Sequence, residues 1–236
     1  MKYGKVISAR FLSRPNRFIA KCEVDGETET VHVKNTGRCR ELLVPDATVY
    51  LSVSDNPDRR TKYDLIAVEK VTDRGTILIN MDSQAPNEAA CEWLCSGGIF
   101  GEGATVRREV KYGDSRFDLY VEQGERRAFV EVKGVTLESD GVASFPDAPT
   151  ERGIKHVREL ISAHNAGYEA YILFVIQMKG INVFIPNDAT HRAFGDALRE
   201  AERSGVKILA YDCLVEESGM KIDEAVKINL SEDLGQ

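Results

Sequence analysis

Six consecutive apolar residues, Tyr171-Ile172-Leu173-Phe174-Val175-Ile176, constrain the fold more than any other segment. A strand with one wet face alternates polar and apolar residues. An unbroken run between Glu169 and Gln177 belongs to a strand covered on both faces. The flanking pattern supplies covering helices. Thr150 caps a helix that reaches about Asn165 and stops at Ala166-Gly167, and another spans residues 188–204 before Gly205. Short strands are expected at 181–185 and 206–211. Upstream, a helix over 87–95, with Asn87 as its cap, precedes three strands at 104–112, 116–122 and 128–134. This order describes a mixed α/β sheet.

The strands at 116–122 and 128–134 are joined by Gln123-Gly124-Glu125-Arg126, a tight-hairpin signal. A turn centred between Gly124 and Glu125 puts Asp118 directly opposite Glu131. Alternation places Phe117, Leu119 and Val121 on one face of the first strand and Asp118 on the other. In the second strand Ala128, Val130 and Val132 share a face, and Glu131 and Lys133 share the opposite one. Opposed Cβ atoms lie roughly 4.5–5.5 Å apart, so the two carboxylates repel unless a cation sits between them. Mg²⁺ (or Mn²⁺) suits such a pair, since it takes one or two carboxylates and keeps waters for phosphate and nucleophile. The Val132 carbonyl is a further candidate ligand. Lys133 is placed to orient the attacking water or to steady charge on a scissile phosphate. The alternative is a surface cross-strand pair in which Lys133 neutralises one of two exposed acids.

Neighbouring segments extend this constellation. Glu88 and Glu92 lie four apart on the 87–95 helix. The helix dipole accounts for Glu88 better than for Glu92, which is expected to lend a further carboxylate. On the 150–165 helix, Ile154, Val157, Leu160, Ile161 and His164 form an apolar stripe. Arg152, Lys155, His156 and Glu159 form a polar face suited to a nucleic-acid backbone or, alternatively, to solvent and i,i+4 pairing. Gly153 in its first turn costs about 1 kcal/mol against alanine and is expected to allow close approach of a backbone or ligand. Residues 135–149 are predicted to be irregular, as a substrate lid would be.

The first 80 residues differ in character. Strands are predicted at 4–12, 18–24, 28–34, 48–54, 63–71 and 76–79, the pattern of a small barrel. The boundary falls near residue 85, with a barrel over 1–85 and the α/β domain over 86–236. Basic residues cluster near the barrel's turns: Arg10, Arg14 and Arg17; Lys34, Arg38 and Arg40; Arg59, Arg60 and Lys62. With Phe11, Phe18 and Tyr63 among them they suit a nucleic-acid groove with aromatic platforms, or else they merely solubilise the turns.

The net charge of −7 counts against a general nucleic-acid coat. It is unevenly spread: residues 1–85 carry 14 Lys and Arg against 12 acids, and the remainder carry 17 against 26. Phosphate binding on such a chain would be localised and salt-sensitive. No apolar stretch approaches the length of a membrane span, and no signal-peptide core follows Met1. Five irregularly spaced cysteines fit a reducing compartment, so a cytoplasmic location is expected. Cys91 and Cys95 have helical spacing but lack two further zinc ligands. Buried thiols are expected there and at Cys22, Cys39 and Cys213; His32 and His191 are expected to be structural.

Several motifs occur in one order: Asn35-Thr36-Gly37-Arg38-Cys39 with Glu41-Leu42-Leu43, Arg60-Thr61-Lys62-Tyr63-Asp64-Leu65, Phe117-Asp118-Leu119, Glu131-Val132-Lys133-Gly134-Val135-Thr136-Leu137, and Phe145-Pro146-Asp147-Ala148 through Thr150-Glu151-Arg152-Gly153 to Lys155-His156. In these the chain resembles the sugar fermentation stimulation protein A family, from about residue 4 to about residue 216. The resemblance implies DNA binding, an OB-fold-like N-terminal domain and a C-terminal domain similar to PD-(D/E)XK nucleases. On that pattern Asp118 matches the first acid, Glu131 and Lys133 the second acid and the lysine, and Glu92, more loosely, a helical glutamate. The expected function is DNA binding with Mg²⁺- or Mn²⁺-dependent phosphodiester hydrolysis. The fold also hosts inactive binders, so a non-catalytic DNA-binding regulator is the alternative, and a module for an acidic small molecule or protein is a third.

Overall fold

A computed structural model describes residues 1–35 and 37–232; Thr36 of the Asn35-Thr36-Gly37 motif lies outside them. Strands β1 (Val6–Asn16), β2 (Ile19–Val24), β3 (Glu27–Val33), β4 (Thr48–Val53), β5 (Tyr63–Thr72) and β6 (Gly75–Asn80) form one sheet in the order β3-β2-β1-β4-β5-β6. A parallel pairing of β3 with β5, through Val31↔Tyr63 and Val33↔Leu65, closes it into a five-stranded barrel. Closure removes the open edges of the first five strands, and β6 extends the sheet outward. Alternation fills the inside with Phe11, Ala20, Cys22, Val31, Val49, Leu51 and Leu65, all at most 2% exposed. The six strands lie where the sequence pattern puts them, in an OB arrangement.

The second domain contains α1 (Ala85–Cys95), β7 (Thr105–Tyr112), β8 (Ser115–Gln123), β9 (Arg126–Val135), β10 (Glu138–Ser139), β11 (Val142–Phe145), α2 (Glu151–Asn165), β12 (Glu169–Ile176), β13 (Val183–Pro186), α3 (Asp188–Arg203), β14 (Lys207–Glu216), β15 (Gly219–Ala225) and β16 (Lys227–Ile228). Its main sheet runs β15-β14-β12-β9-β8-β7. The apolar strand β12 is central, with parallel neighbours β9 and β14. Leu119, Val121, Val130, Val132, Leu173 and Val175 face α1. Phe117, Phe129, Ile172, Phe174 and Ile176 pack with Val157 and Leu160 of α2 and Phe194 of α3. No helix among the described residues is long and apolar enough to cross a membrane.

Four expectations need correction here. Residues 135–149 are not irregular: β10 and β11 form a hairpin in a second sheet, β10-β11-β13-β16. Glu138 of this hairpin is buried and paired with Lys70 (2.5 Å) and Arg74 (3.2 Å), which ties the segment to the barrel and leaves it no lid character. Helix α1 is capped at Gln84, without a side-chain bond, and Asn87 lies inside its first turn. Gly153 serves helix packing rather than ligand approach, since a Cβ there would sit 2.9 Å from the Thr150 cap and 3.1 Å from Phe194. Cys95 is exposed and Cys91 half-buried, whereas Cys22, Cys39 and Cys213 are buried. Strand β15, with Met220 and Ile222 inward among charged residues, had no clear strand pattern in the sequence.

The domains meet through a buried polar knot. Asp82, 1% exposed, accepts from Lys34 Nζ (2.6 Å) and Tyr3 Oη (3.3 Å). Gln177 Nε2 donates to the Asn80 and Asp82 carbonyls and to Asn80 Oδ1. Asn80 Nδ2 in turn donates to Tyr3 Oη. Buried polar groups joined by this many bonds hold a single arrangement.

At the start of β12, Arg126 grips Glu169 through two bonds of 2.7 and 2.9 Å. This holds the Glu169 carboxyl down at about 2. A carboxyl whose folded pKa lies below its unfolded value stabilises the fold above the unfolded value, and that stability is lost as pH falls toward the folded one. Glu169→Gln is therefore expected to flatten the loss of stability between pH ~4.3 and pH 2, measured as urea midpoints across that window. An unchanged acid limb would refute the assignment.

Candidate metal and nuclease-type site

The β8–β9 hairpin has the expected register, from Gln123↔Arg126 to Leu119↔Val130. One step further, at Asp118 and Glu131, the ladder opens. On the other side, β7 and β8 pair at Arg108↔Leu119 and Val110↔Phe117 but not between. The intervening Glu109 has φ 55°, a left-handed conformation that non-glycine residues adopt rarely. Inward alternation breaks at this point. Phe117 packs against Phe129 on the α2 side, at a ring separation of 5.1 Å, while Leu119 and Val121 turn to α1. The three do not share a face as alternation predicts.

The opening frees Asp118 to bond sideways. Its Oδ2 accepts the Val132 N–H (2.8 Å) and its Oδ1 accepts from Asn87 Nδ2 (2.9 Å). Burial raises its pKa and the Glu131 charge raises it further, against the Val132 N–H, Lys133 and Asn87, which pull it down. Glu131 and Lys133 share the α2 side of β9 as expected. Glu131 is 2% exposed, and its Oε1 meets Lys133 Nζ (2.5 Å) and His156 Nδ1. Burial pushes the Glu131 carboxyl up, but His156 and Lys133 outweigh it and hold the group below its ordinary value. Its second oxygen, Oε2, is buried without a hydrogen-bond partner among the described residues.

His156 is misplaced by the sequence expectation. It is 7% exposed and points into the sheet, not to a phosphate-binding face. Arg152 Nε donates to its Nε2 (3.4 Å). A guanidinium can only donate, so Nε2 accepts and the ring proton sits on Nδ1, toward Glu131. The imidazole positions that carboxylate. Arg152 and Lys155 remain on the exposed face, Lys155 within 3.7 Å of Glu159.

Glu92 does not join the pair. Its carboxylate bonds the Met1 amino group, which also donates to the Met220 carbonyl. Five residues separate Glu92 from Asn87, about 140° around a helix, so it faces β15 and Asn87 takes the position near Asp118. Another acidic group, Asp212, Asp223 and Glu224, is bridged by Lys179 Nζ at 3.0, 2.6 and 2.9 Å and already has its counter-charge.

The barrel's basic residues divide in two. Arg10 is paired with Glu23 and Asp46. Arg14 donates to the backbone carbonyls of Arg17, Asn35, Gly37 and Arg38 and so shapes a loop. Lys34 is held by Asp82. In contrast Arg17, Arg38 and Arg40 are exposed around one groove that includes Gly37 and Ala148. Arg60 is exposed, and Lys62 lies over the Tyr63 ring at 5.0 Å. Of the aromatic platforms only Phe18, 52% exposed, offers a face; Phe11 and Tyr63 are core. His32 pairs with Asp64, and His191 Nδ1 accepts the Thr150 N–H.

Comparison with known proteins follows the same division of the chain. The family model for the SfsA N-terminal OB domain matches residues 12–79, and that for the sugar fermentation stimulation protein RE domain matches residues 84–219. A sugar fermentation stimulation protein homolog of Desulfitobacterium hafniense (strain Y51) is 58% identical over 232 residues, covering 98% of this chain and all of the relative. One from Ruminiclostridium cellulolyticum is 54% identical over 230 residues with the same coverage. The structure of Pyrococcus furiosus SfsA in complex with Ca²⁺ superimposes with a TM-score of 0.86 at 26% identity, over 97% of this chain and 98% of that one.

Proposed function

The chain belongs to the sugar fermentation stimulation protein family, and on that premise we propose that it binds DNA along its OB domain and hydrolyses phosphodiester bonds at Asp118, Glu131 and Lys133 with Mg²⁺ or Mn²⁺. The buried, unpartnered Oε2 of Glu131, with the neighbouring Asp118 carboxyl raised by burial and by the Glu131 charge, carries this reading. An unmatched acceptor oxygen in the interior costs roughly 1–3 kcal/mol, and a hard cation answers it. Asp118, Glu131 and the Val132 carbonyl would hold the ion. The Ca²⁺ of the Pyrococcus furiosus protein supports a divalent site. When bound, the ion makes its water a stronger acid and steadies charge on a phosphate. Asn87 and His156 fix the two carboxylates, and Lys133, now on Glu131, is placed to orient a nucleophile. All five cysteines are free thiols, in keeping with a cytoplasmic setting.

Incubation with supercoiled, linear and single-stranded DNA, and with RNA, in Mg²⁺ or Mn²⁺ tests the proposal. Binding without scission in every case would return the protein to the non-catalytic regulator.

Arg17, Arg38, Arg40, Arg60 and Lys62, with Arg152 and Lys155 near the acids, are the proposed phosphate contacts. Each phosphate neutralised on duplex DNA contributes about −0.9 to the slope of log affinity against log salt. Arg38→Ala and Arg40→Ala are each expected to shrink that slope by about one. Arg10→Ala, whose charge already meets Glu23 and Asp46, should leave it unchanged. Anisotropy titrations across salt concentrations measure this; identical slopes for all three variants would contradict the groove assignment.

A further inference from the structure

A cavity of about 180 Å³ lies at the junction of the two domains, beside the proposed site. Asn35 and Gly37 of the barrel line one side, Gly134 and Thr136 line the side just after Lys133, and Asp147 and Gln177 complete the wall. Gln177 is 2% exposed, and its Nε2 donates to Asn80 O, Asn80 Oδ1 and Asp82 O at 3.0, 3.1 and 3.1 Å. Two of these acceptors are backbone carbonyls, so the amide has one orientation, with its oxygen turned the other way. No donor among the described residues reaches Gln177 Oε1. It stands over Gly134, where a Cβ would lie 2.5 Å from it. Pro86 Cγ would meet the same Cβ at 2.6 Å, so only glycine fits beneath them, and Gln177 lines the cavity.

The Asp147 carboxylate adds a second acceptor: a Cβ on Gly37 would come within 2.6 Å of its Oδ2. Asn35 Oδ1 is already taken by the Gly37 N–H at 2.7 Å. The cavity is thus rich in acceptors. It is smaller than the roughly 300–1,000 Å³ pockets of drug-sized ligands, which limits an occupant to about one ring system. Gly37 also lines the groove of Arg17, Arg38 and Arg40, and Gly134 directly follows Lys133. The cavity therefore shares a residue with the arginine groove and lies next in sequence to the proposed lysine.

Resting on the function proposed above, we propose that this cavity takes one unpaired nucleobase, read on its N–H donor edge, and that the substrate is single-stranded or locally opened nucleic acid. Guanine, with a ring N–H beside an exocyclic amine, matches two acceptors, and a base must leave its stack to enter. The probes are short oligothymidylates carrying one central guanine, inosine or abasic residue, titrated by anisotropy in EDTA, so that failure of cleavage leaves the readout intact. The guanine strand is expected to bind about tenfold tighter than the abasic one, with inosine, which lacks the amine, between them. Asp147→Asn, at an exposed residue, and Thr136→Phe, which fills the space, should erase the difference while keeping the salt slope. Equal affinities for all three strands would overturn the base cavity and leave phosphate binding standing. A difference that survives both variants would overturn it as well. Absence of any nucleic-acid binding would overturn both proposals.

Discussion

Asp118→Ala is expected to lower divalent-dependent DNA scission by at least about 100-fold, and Lys133→Ala by about 10²–10³-fold. The reasons differ. Asp118 would be a ligand, and its loss also leaves the Val132 N–H and the Asn87 amide without their acceptor. Lys133 would act on the nucleophile, so its variant should still bind the ion. A thermal shift separates the two. An ion at 100 times its dissociation constant stabilises the native state by about 2.7 kcal/mol. Mg²⁺ should raise the melting temperature of the unaltered protein and of Lys133→Ala, and barely that of Asp118→Ala. The shift should also fade in acid, because a proton on Asp118, favoured by burial and by Glu131, competes with the ion. Equal residual scission in both variants would indicate a contaminating nuclease and end the assignment.

The second large effect concerns stability. Phe174 is fully buried in β12, stacked on Phe184 at 4.1 Å and 5.6 Å from Phe145. Phe174→Ala is expected to cost about 3–5 kcal/mol, the usual loss for a buried aromatic, through lost transfer energy and the void left behind. Against total stabilities of about 5–15 kcal/mol this is a large fraction. Phe174 pairs in register with Lys133 of β9, so the void would open beside the lysine. Leu214→Ala, at a side chain 36% exposed, should cost about 0.5 kcal/mol or less. Urea midpoints at unchanged m-value measure both; similar costs would show that the β12 packing has been misjudged.

Much of this architecture was legible because periodicity reports burial directly. The unbroken run in β12 marks the sheet's centre, and the glycine turn fixes the hairpin register as far as Leu119↔Val130, one step short of Asp118 and Glu131. Phe117 departs from the alternation because Glu109, across the strand pair, takes a left-handed conformation that no side-chain pattern announces. His156 was legible and misread. It lies four residues before buried Leu160 and three after buried Gly153, on the apolar stripe, where spacing outweighs the polarity of the ring. Asn87 looked like a cap, although Pro86 before it already marked the first helical turn. The knot of Tyr3, Lys34, Asn80, Asp82 and Gln177 joins distant segments, and only the folded chain assembles it.

That knot has a mechanical consequence. Asp82 answers at once to the first residues of the chain, to the end of β3 and, through Gln177, to the end of β12. Barrel and sheet therefore share a rigid chassis rather than a hinge. On the proposed function, a polymer grasped at the barrel's arginines would reach the acids with its phasing set in advance, as in a caliper whose gap is built in.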